Sequence, residues 1–231
     1  MIMQNDDLKA GINAMKYDLV IFDLDGTLLN TLDDLADATN RALLEAGFPP
    51  RTTEEVRRFV GNGVARLIMR AVPEGTDDDT IQAVLARFKA IYTENVNVRT
   101  RPYPGIHEML NALKAAGIKT AVNSNKVDNA TQLLCAAHFG DEIALAMGET
   151  AGIPKKPAPD GAQTIMKALG VQPARTLYVG DGDADILTAQ NAGLDCAWVS
   201  WGFRRREELT GLHMPPSFDT AEALRQYIME T

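Results

Sequence analysis

From Arg101 onward the chain alternates short apolar runs with stretches of helical periodicity, and several of the helical stretches stop at a glycine. The pattern predicts helix Ile106–Ala116 stopping at Gly117 before strand Ile118–Val122, and helix Asp128–Ala137 before strand Ile143–Met147. It continues with helix Gly161–Leu169 before strand Thr176–Val179, helix Asp183–Ala192 before strand Cys196–Val199, and a final helix Ala221–Met229. Short strands joined by helices cannot pair as hairpins. They require right-handed crossovers and a parallel sheet with helices on both faces. The apolar run that closes at Phe22 reads as a further buried strand of this sheet.

Between that strand and Arg101 the reading changes. Thr31 and Asp34 have the spacing of a capping box for a helix to Ala46, which Gly47 and Pro49-Pro50 terminate. Helices are predicted over Glu54–Val60 and Val64–Ala71, separated by Gly61-Asn62-Gly63, and Ile81, Val84, Leu85, Phe88, Ile91 and Tyr92 recur at helical spacing. The predicted fold is therefore α/β: a doubly wound, Rossmann-like parallel-sheet core over residues 1–28 and 104–231, with an all-α insertion over 29–103. In sheets of this type ligands bind beyond the C-terminal strand ends.

Polar residues gather just past those ends. Asp23 and Asp25 are two apart, so in extended backbone they share a side, and Gly26 then permits a tight turn. Two like charges leaving a buried strand are costly unless a cation or a proton stands between them; the bland alternative is a polar turn. Val122 is followed by Asn123-Ser124-Asn125-Lys126, where a hydroxyl and an amide can hold an oxyanion or simply cap the next helix. Lys155-Lys156 precedes the stiff Pro157-Ala158-Pro159 turn, and either a phosphoryl-directed charge or a solvated pair fits. Val179 leads into Gly180-Asp181-Gly182-Asp183-Ala184-Asp185, a hard-oxygen cluster suited to Mg²⁺, although Asp183 and Asp185 also suit a helix start.

Charge and cysteine usage narrow the partners. With 23 Lys and Arg against 31 Asp and Glu, net −8, the chain is a poor match for nucleic acid or an anionic membrane. No apolar stretch is long enough to span a bilayer, and the two cysteines, Cys135 and Cys196, are far apart in sequence, so a soluble protein in a reducing cytoplasm is expected. Residues 1–15 are polar and unpatterned, which suggests a loose leader. His107, His138 and His213 lie away from the strand-end motifs and read as structural or surface residues, as does the Arg204-Arg205-Arg206 run. Monomer and homodimer both stay open.

Taken together, the strand-end motifs resemble those of the haloacid dehalogenase superfamily, specifically its phosphatases. The resemblance covers nearly everything from Tyr17 onward. Asp23-Leu24-Asp25-Gly26-Thr27, Ser124-Asn125, Lys156-Pro157, and Gly180-Asp181 with Asp185 look like its four motifs, and the insertion looks like its helical cap of the first type. Phe59-Val60-Gly61-Asn62-Gly63 and the path from Gly148-Glu149 to Pro159 are similar to phosphoglycolate phosphatases. Asn30 departs from the aspartate many relatives carry, and the doubled Lys155-Lys156 leaves two lysines to choose from, of which the Pro157 spacing favours Lys156.

The resemblance implies a phosphatase in which Asp23 is the nucleophile and Asp25 the general acid and base, with Ser124 and Lys156 holding phosphoryl oxygens. It implies Mg²⁺ bound by the Asp23 side chain, the Asp25 carbonyl and Asp181, with Asp185 orienting Lys156 or a metal-bound water. Thr27, Asn125, Gly61, Asn62, Gly63 and Arg66 are the expected substrate contacts, Arg70 an alternative to Arg66, and the substrate a small phosphorylated metabolite, 2-phosphoglycolate first. A β-phosphoglucomutase-like mutase, another phosphatase of the superfamily, or a phosphate-sensing protein on the same core are the alternatives. The hinges of a closing lid would lie near Leu28–Thr31 and Arg101–Gly105.

Overall fold

The computed structural model describes residues 15–61 and 63–230; the N-terminal stretch up to residue 14, Asn62 and Thr231 lie outside the described residues. A six-stranded parallel sheet is built from β1 (Leu19–Phe22), β4 (Lys119–Val127), β5 (Leu145–Glu149), β6 (Thr176–Gly180), β7 (Asp195–Val199) and β8 (Ser217–Phe218). Its order is β5-β4-β1-β6-β7-β8, which places β1 between the two halves of the sheet. The short strands β2 (Leu29–Asn30) and β3 (Arg101–Pro102) pair antiparallel apart from it.

Helices cover both faces, as the alternating pattern requires. Along β1, Leu19 and Ile21 join Ile165 and Met166 of α7 (Asp160–Leu169) and Ala189 of α8 (Asp183–Ala192). Val20 and Phe22 belong to the opposite core, with Ile106 and Leu110 of α5 (Ile106–Ala115), Leu134 of α6 (Asp128–His138) and Leu224 and Ile228 of α9 (Ala221–Glu230). Each such side chain contributes about 1.5–3 kcal/mol on full burial, which explains why the run is apolar on both sides rather than alternating. The insertion holds α1 (Leu32–Glu45), α2 (Thr53–Phe59), α3 (Val64–Ala71) and α4 (Asp78–Glu94), strung between β2 and β3. Among the described residues no helix is long and apolar enough to cross a membrane.

Three local expectations change. The strand predicted to end at Val122 runs on to Val127, with a register shift against β5 between Asn123 and Val127, so Ser124 and Lys126 lie on extended backbone. The strand predicted over Ile143–Met147 is displaced to Leu145–Glu149, because Gly140–Glu142 first make a 3₁₀ turn. The Thr31–Asp34 capping box does not form. Thr31 instead donates its hydroxyl to Asp25 Oδ1 at 2.7 Å. Asp34, buried, accepts the N–H groups of Val98, Arg99 and Thr100 at 3.1, 2.9 and 2.9 Å and the Thr100 hydroxyl at 2.8 Å. Four donors satisfy a buried carboxylate better than one local cap, and they anchor the chain where it leaves the insertion. A capping box does form at the start of α2, between Thr52 and Glu55.

Candidate active site

The turn after β1 sets the site. Gly26 has φ 90°, and a Cβ there would stand 2.5 Å from Asp181 Oδ2, so only glycine lets this backbone lie against the loop after β6. Asp23 is thereby brought into a buried cluster. One oxygen each from Asp23, Asp181 and Asp185 lie within 4.8 Å of one another. Lys156 Nζ stands 2.6 Å from Asp23 Oδ1 and 2.7 Å from Asp185 Oδ1, and the Gly182 N–H donates to Asp185 Oδ2 at 3.0 Å. Asp181 Oδ2 accepts the N–H groups of Phe203 and Arg204 at 2.6 and 3.3 Å, while Oδ1 receives a long 3.5 Å contact from the Thr27 hydroxyl.

The electrostatics follow from burial. Desolvation first, then the neighbouring Asp185 charge, push Asp181 up to about 7. Desolvation also holds Asp23 well above the ordinary carboxylate range, against the pull of Lys156. Burial alone would lower Lys156, but Asp185 and Asp23 outweigh it and keep the ammonium charged. A buried all-oxygen donor set with more negative than positive charge fits a hard divalent cation.

Asp25 sits in different surroundings. Both its oxygens bind Lys126 Nζ, at 2.8 and 2.9 Å, and Thr31 adds its hydroxyl. Lys126 is buried and lies 4.8 Å over the ring of Tyr92 from the insertion. Desolvation would lower its pKa, yet the Asp25 charge outweighs this and raises it. Sequence reasoning gave Lys126 no role. The available signal was its period, since it stands two residues after Ser124 on the same strand.

The other predicted residues divide. A cavity of about 80 Å³ is lined by Asp23, Asp25, Ser124, Lys126, Lys156 and Asp181 from the sheet edge. Gly61 and Gly63, both at positive φ, line it from the insertion. Asn125 also lines it, but its amide donates to the Lys156 carbonyl at 3.1 Å and accepts the Lys156 N–H at 2.9 Å, so it fixes the lysine loop. Lys155 pairs with Glu149 at 2.7 Å, which leaves Lys156 as the lysine in the site. Thr27 lies buried beneath Asp181 and not in the cavity wall. Arg66 is exposed on α3 and outside the lining, because the inward face of this helix is the apolar one, with Leu67 and Ile68. Arg70 is likewise exposed, donating to the Phe59 carbonyl. Asn62 lies outside the described residues.

The arginine run does not behave as one surface feature. Arg205 and Arg206 are exposed, while Arg204 lines the cavity and donates to the carbonyls of Arg58 at 3.1 Å and of Val60. Nothing in the local pattern distinguishes it from its neighbours. The histidines stay apart from the cavity, His107 against Glu142, His138 against Asn97, and His213 exposed.

A family model of haloacid dehalogenase-like hydrolases matches residues 20–199. Phosphoglycolate phosphatase of Pseudomonas putida is 37% identical over 191 residues, covering 80% of this chain and 70% of its own. Phosphoglycolate phosphatase of Rhodospirillum rubrum is 35% identical over 217 residues, covering 90% of each. A crystal structure from Lactobacillus delbrueckii subsp. bulgaricus, provisionally described as a phosphoglycolate phosphatase, shares the fold with a TM-score of 0.89. Its identity is 35%, over 94% of this chain and 100% of that one.

Proposed function

The chain belongs to the haloacid dehalogenase-like hydrolase family, and on that footing we propose that it is a Mg²⁺-dependent phosphatase of small phosphate monoesters, with 2-phosphoglycolate its substrate. The observation that carries this reading is the contrast between two carboxylates on one turn: Asp23 in a buried anionic cluster, Asp25 ion-paired with Lys126. The first suits a nucleophile working against a bound cation. The second suits a group that moves a proton.

In this reading Asp23 attacks phosphorus and forms an aspartyl-phosphate, the P–O bond to the alcohol breaks, and Asp25, entering the step in its protonated form, delivers that proton to the leaving oxygen. Asp25 then takes a proton from the water that cleaves the acyl phosphate. Lys126 and Thr31 hold the Asp25 carboxylate at the cavity wall through both changes of charge. Lys156 pins one oxygen of Asp23, so the carboxylate presents a defined face. Ser124, at the end of the apolar part of β4, and the backbone around it receive phosphoryl oxygens. Asp23, Asp181 and the Asp25 carbonyl would hold Mg²⁺, which supplies positive charge against the approaching dianion. Asp185 orients Lys156.

The insertion, residues 29–103, acts as a lid over the core, residues 1–28 and 104–231, and swings about the β2–β3 crossing. Gly61 and Gly63 bring backbone to the leaving-group side, and the narrow cavity favours a short organic tail over a nucleoside. A cytoplasmic location agrees with the two free cysteines. The test is phosphate release with Mg²⁺ across 2-phosphoglycolate, hexose phosphates and nucleotides. Expected is a kcat/KM for 2-phosphoglycolate at least about tenfold above the others. Release from none of a broad panel of monoesters ends the enzyme reading, and a long-lived phospho-Asp23 that passes its phosphate to a hexose phosphate makes the protein a mutase instead.

A further inference from the structure

The segment after β7 touches the acidic cluster and the insertion at once. Phe203 and Arg204 give their N–H groups to Asp181 Oδ2. Behind them the Trp198 indole donates to the Asp181 carbonyl at 2.7 Å, and the Trp201 indole to the Thr27 carbonyl at 3.0 Å. Gly202 is pressed so close that a Cβ would stand 2.3 Å from Asp181 Cβ and 2.4 Å from the Gly26 carbonyl oxygen. The turn has no slack on this side.

Its other side faces α2. The Phe203 carbonyl accepts Nη1 of Arg57, an arginine only 8% exposed. The Arg57 charge is held by both Glu208 oxygens, at 3.0 and 2.7 Å, and by both Glu54 oxygens, at 2.9 and 3.0 Å. The Phe203 carbonyl and the Arg204 N–H belong to one planar peptide unit. That unit therefore accepts a guanidinium on the insertion side and donates to Asp181 on the core side. A cation at the carbonyl polarises the amide, strengthens its N–H as a donor and fixes the tilt of the plane.

We propose that Arg57 is a positioning residue for Asp181: when α2 seats on the core, Arg57 sets the Phe203–Arg204 peptide, and that peptide sets the carboxylate that takes the cation. Arg57 is outside the cavity lining and touches no reacting atom. The inference rests on the proposed function only in taking Asp181 as a cation ligand.

The probe is Mn²⁺ alone, titrated into the full chain without substrate and followed by electron paramagnetic resonance. Arg57→Gln is expected to raise the Mn²⁺ Kd about tenfold, Arg57→Lys to recover part of that, and Glu208→Gln, which loosens Arg57 without removing it, to raise Kd about threefold. Arg87→Gln, which breaks the exposed pair with Glu45 elsewhere in the insertion, is expected to leave the Kd unchanged. A folded Arg57→Gln protein with wild-type Mn²⁺ affinity and a loss confined to substrate KM would overturn the proposal, since Arg57 would then only seat the insertion. Should Arg57→Gln not fold, an unchanged Kd in Glu208→Gln overturns it equally. If the wild type releases no phosphate but its Mn²⁺ affinity still responds to Arg57→Gln, the phosphatase reading falls and the positioning role stands. A wild type that binds no Mn²⁺ overturns the positioning role.

Discussion

Two buried lysines flank the end of β1, and they meet their carboxylates on unequal terms. Lys156, from the loop after β5, is shared between Asp23 and Asp185, with Asp181 close by. Lys126, at the end of β4, serves Asp25 alone and rests against the Tyr92 ring. On the first side three carboxylates face one ammonium, and burial lifts Asp23 and Asp181 above their ordinary range. On the second side one charge cancels one. Residues of the same type, two apart on one turn, thus acquire different chemistry from their neighbours: one side lacks positive charge, the other is already balanced.

The most severe way to probe the contrast is to neutralise its anionic side. Asp23→Asn is expected to lower turnover by about 10⁴-fold or more with the circular dichroism spectrum unchanged. Phosphate release within tenfold of wild type would remove Asp23 as nucleophile. On the balanced side, Asp25→Asn should lower kcat by about 10²–10⁴ and leave the Mn²⁺ Kd within about twofold, whereas Asp181→Asn should raise that Kd at least about tenfold. Equal loss of metal affinity in both variants would erase the distinction.

A smaller effect concerns stability. Lys126→Met strands the Asp25 carboxylate and should cost about 3 kcal/mol in urea unfolding, most of which Asp25→Asn in the same chain restores. Strictly additive effects would mean the pair is not a unit.

The mildest prediction is a slope with pH. A carboxylate raised to about 7 in the folded protein holds a proton that the unfolded chain releases near 3.8, so stability without metal should decline as pH rises through that window. The depressed carboxylates, such as Glu208 at about 2, oppose this decline only below about pH 5, where the unfolded chain still protonates them. Added Mg²⁺ should flatten the decline, and unfolding midpoints that do not fall between about pH 5 and 7 would count against the buried cluster.

The strand-end carboxylates were legible because a buried strand has a simple signature. Leu19 to Phe22 is apolar on both faces, the run ends at Asp23, and Gly26 marks the turn. Thr31 and Asp34 misled because their spacing satisfies a local rule that other partners outbid, the Asp25 carboxylate for Thr31 and the distant Val98–Thr100 donors for Asp34. Arg66 stands exposed, outside the cavity lining, for a different reason. An arginine on an amphipathic helix carries no mark of which way the helix will face, and α3 turns Leu67 and Ile68 inward. Arg57 and Arg204 gave no signal of their long-range contacts, since Glu208 and Val60 lie 151 and 144 residues away from them in sequence.

By itself, then, the sequence determined the α/β class, the helical insertion and the carboxylates at the strand ends, because apolar periodicity and glycine stops act over a few residues. Only the tertiary structure decided which charge each carboxylate meets. Lys126 comes to Asp25, Lys156 to Asp23, and the N–H groups of Phe203 and Arg204 to Asp181 through strand order and loop closure, and Coulomb energy depends on distance in space rather than separation along the chain.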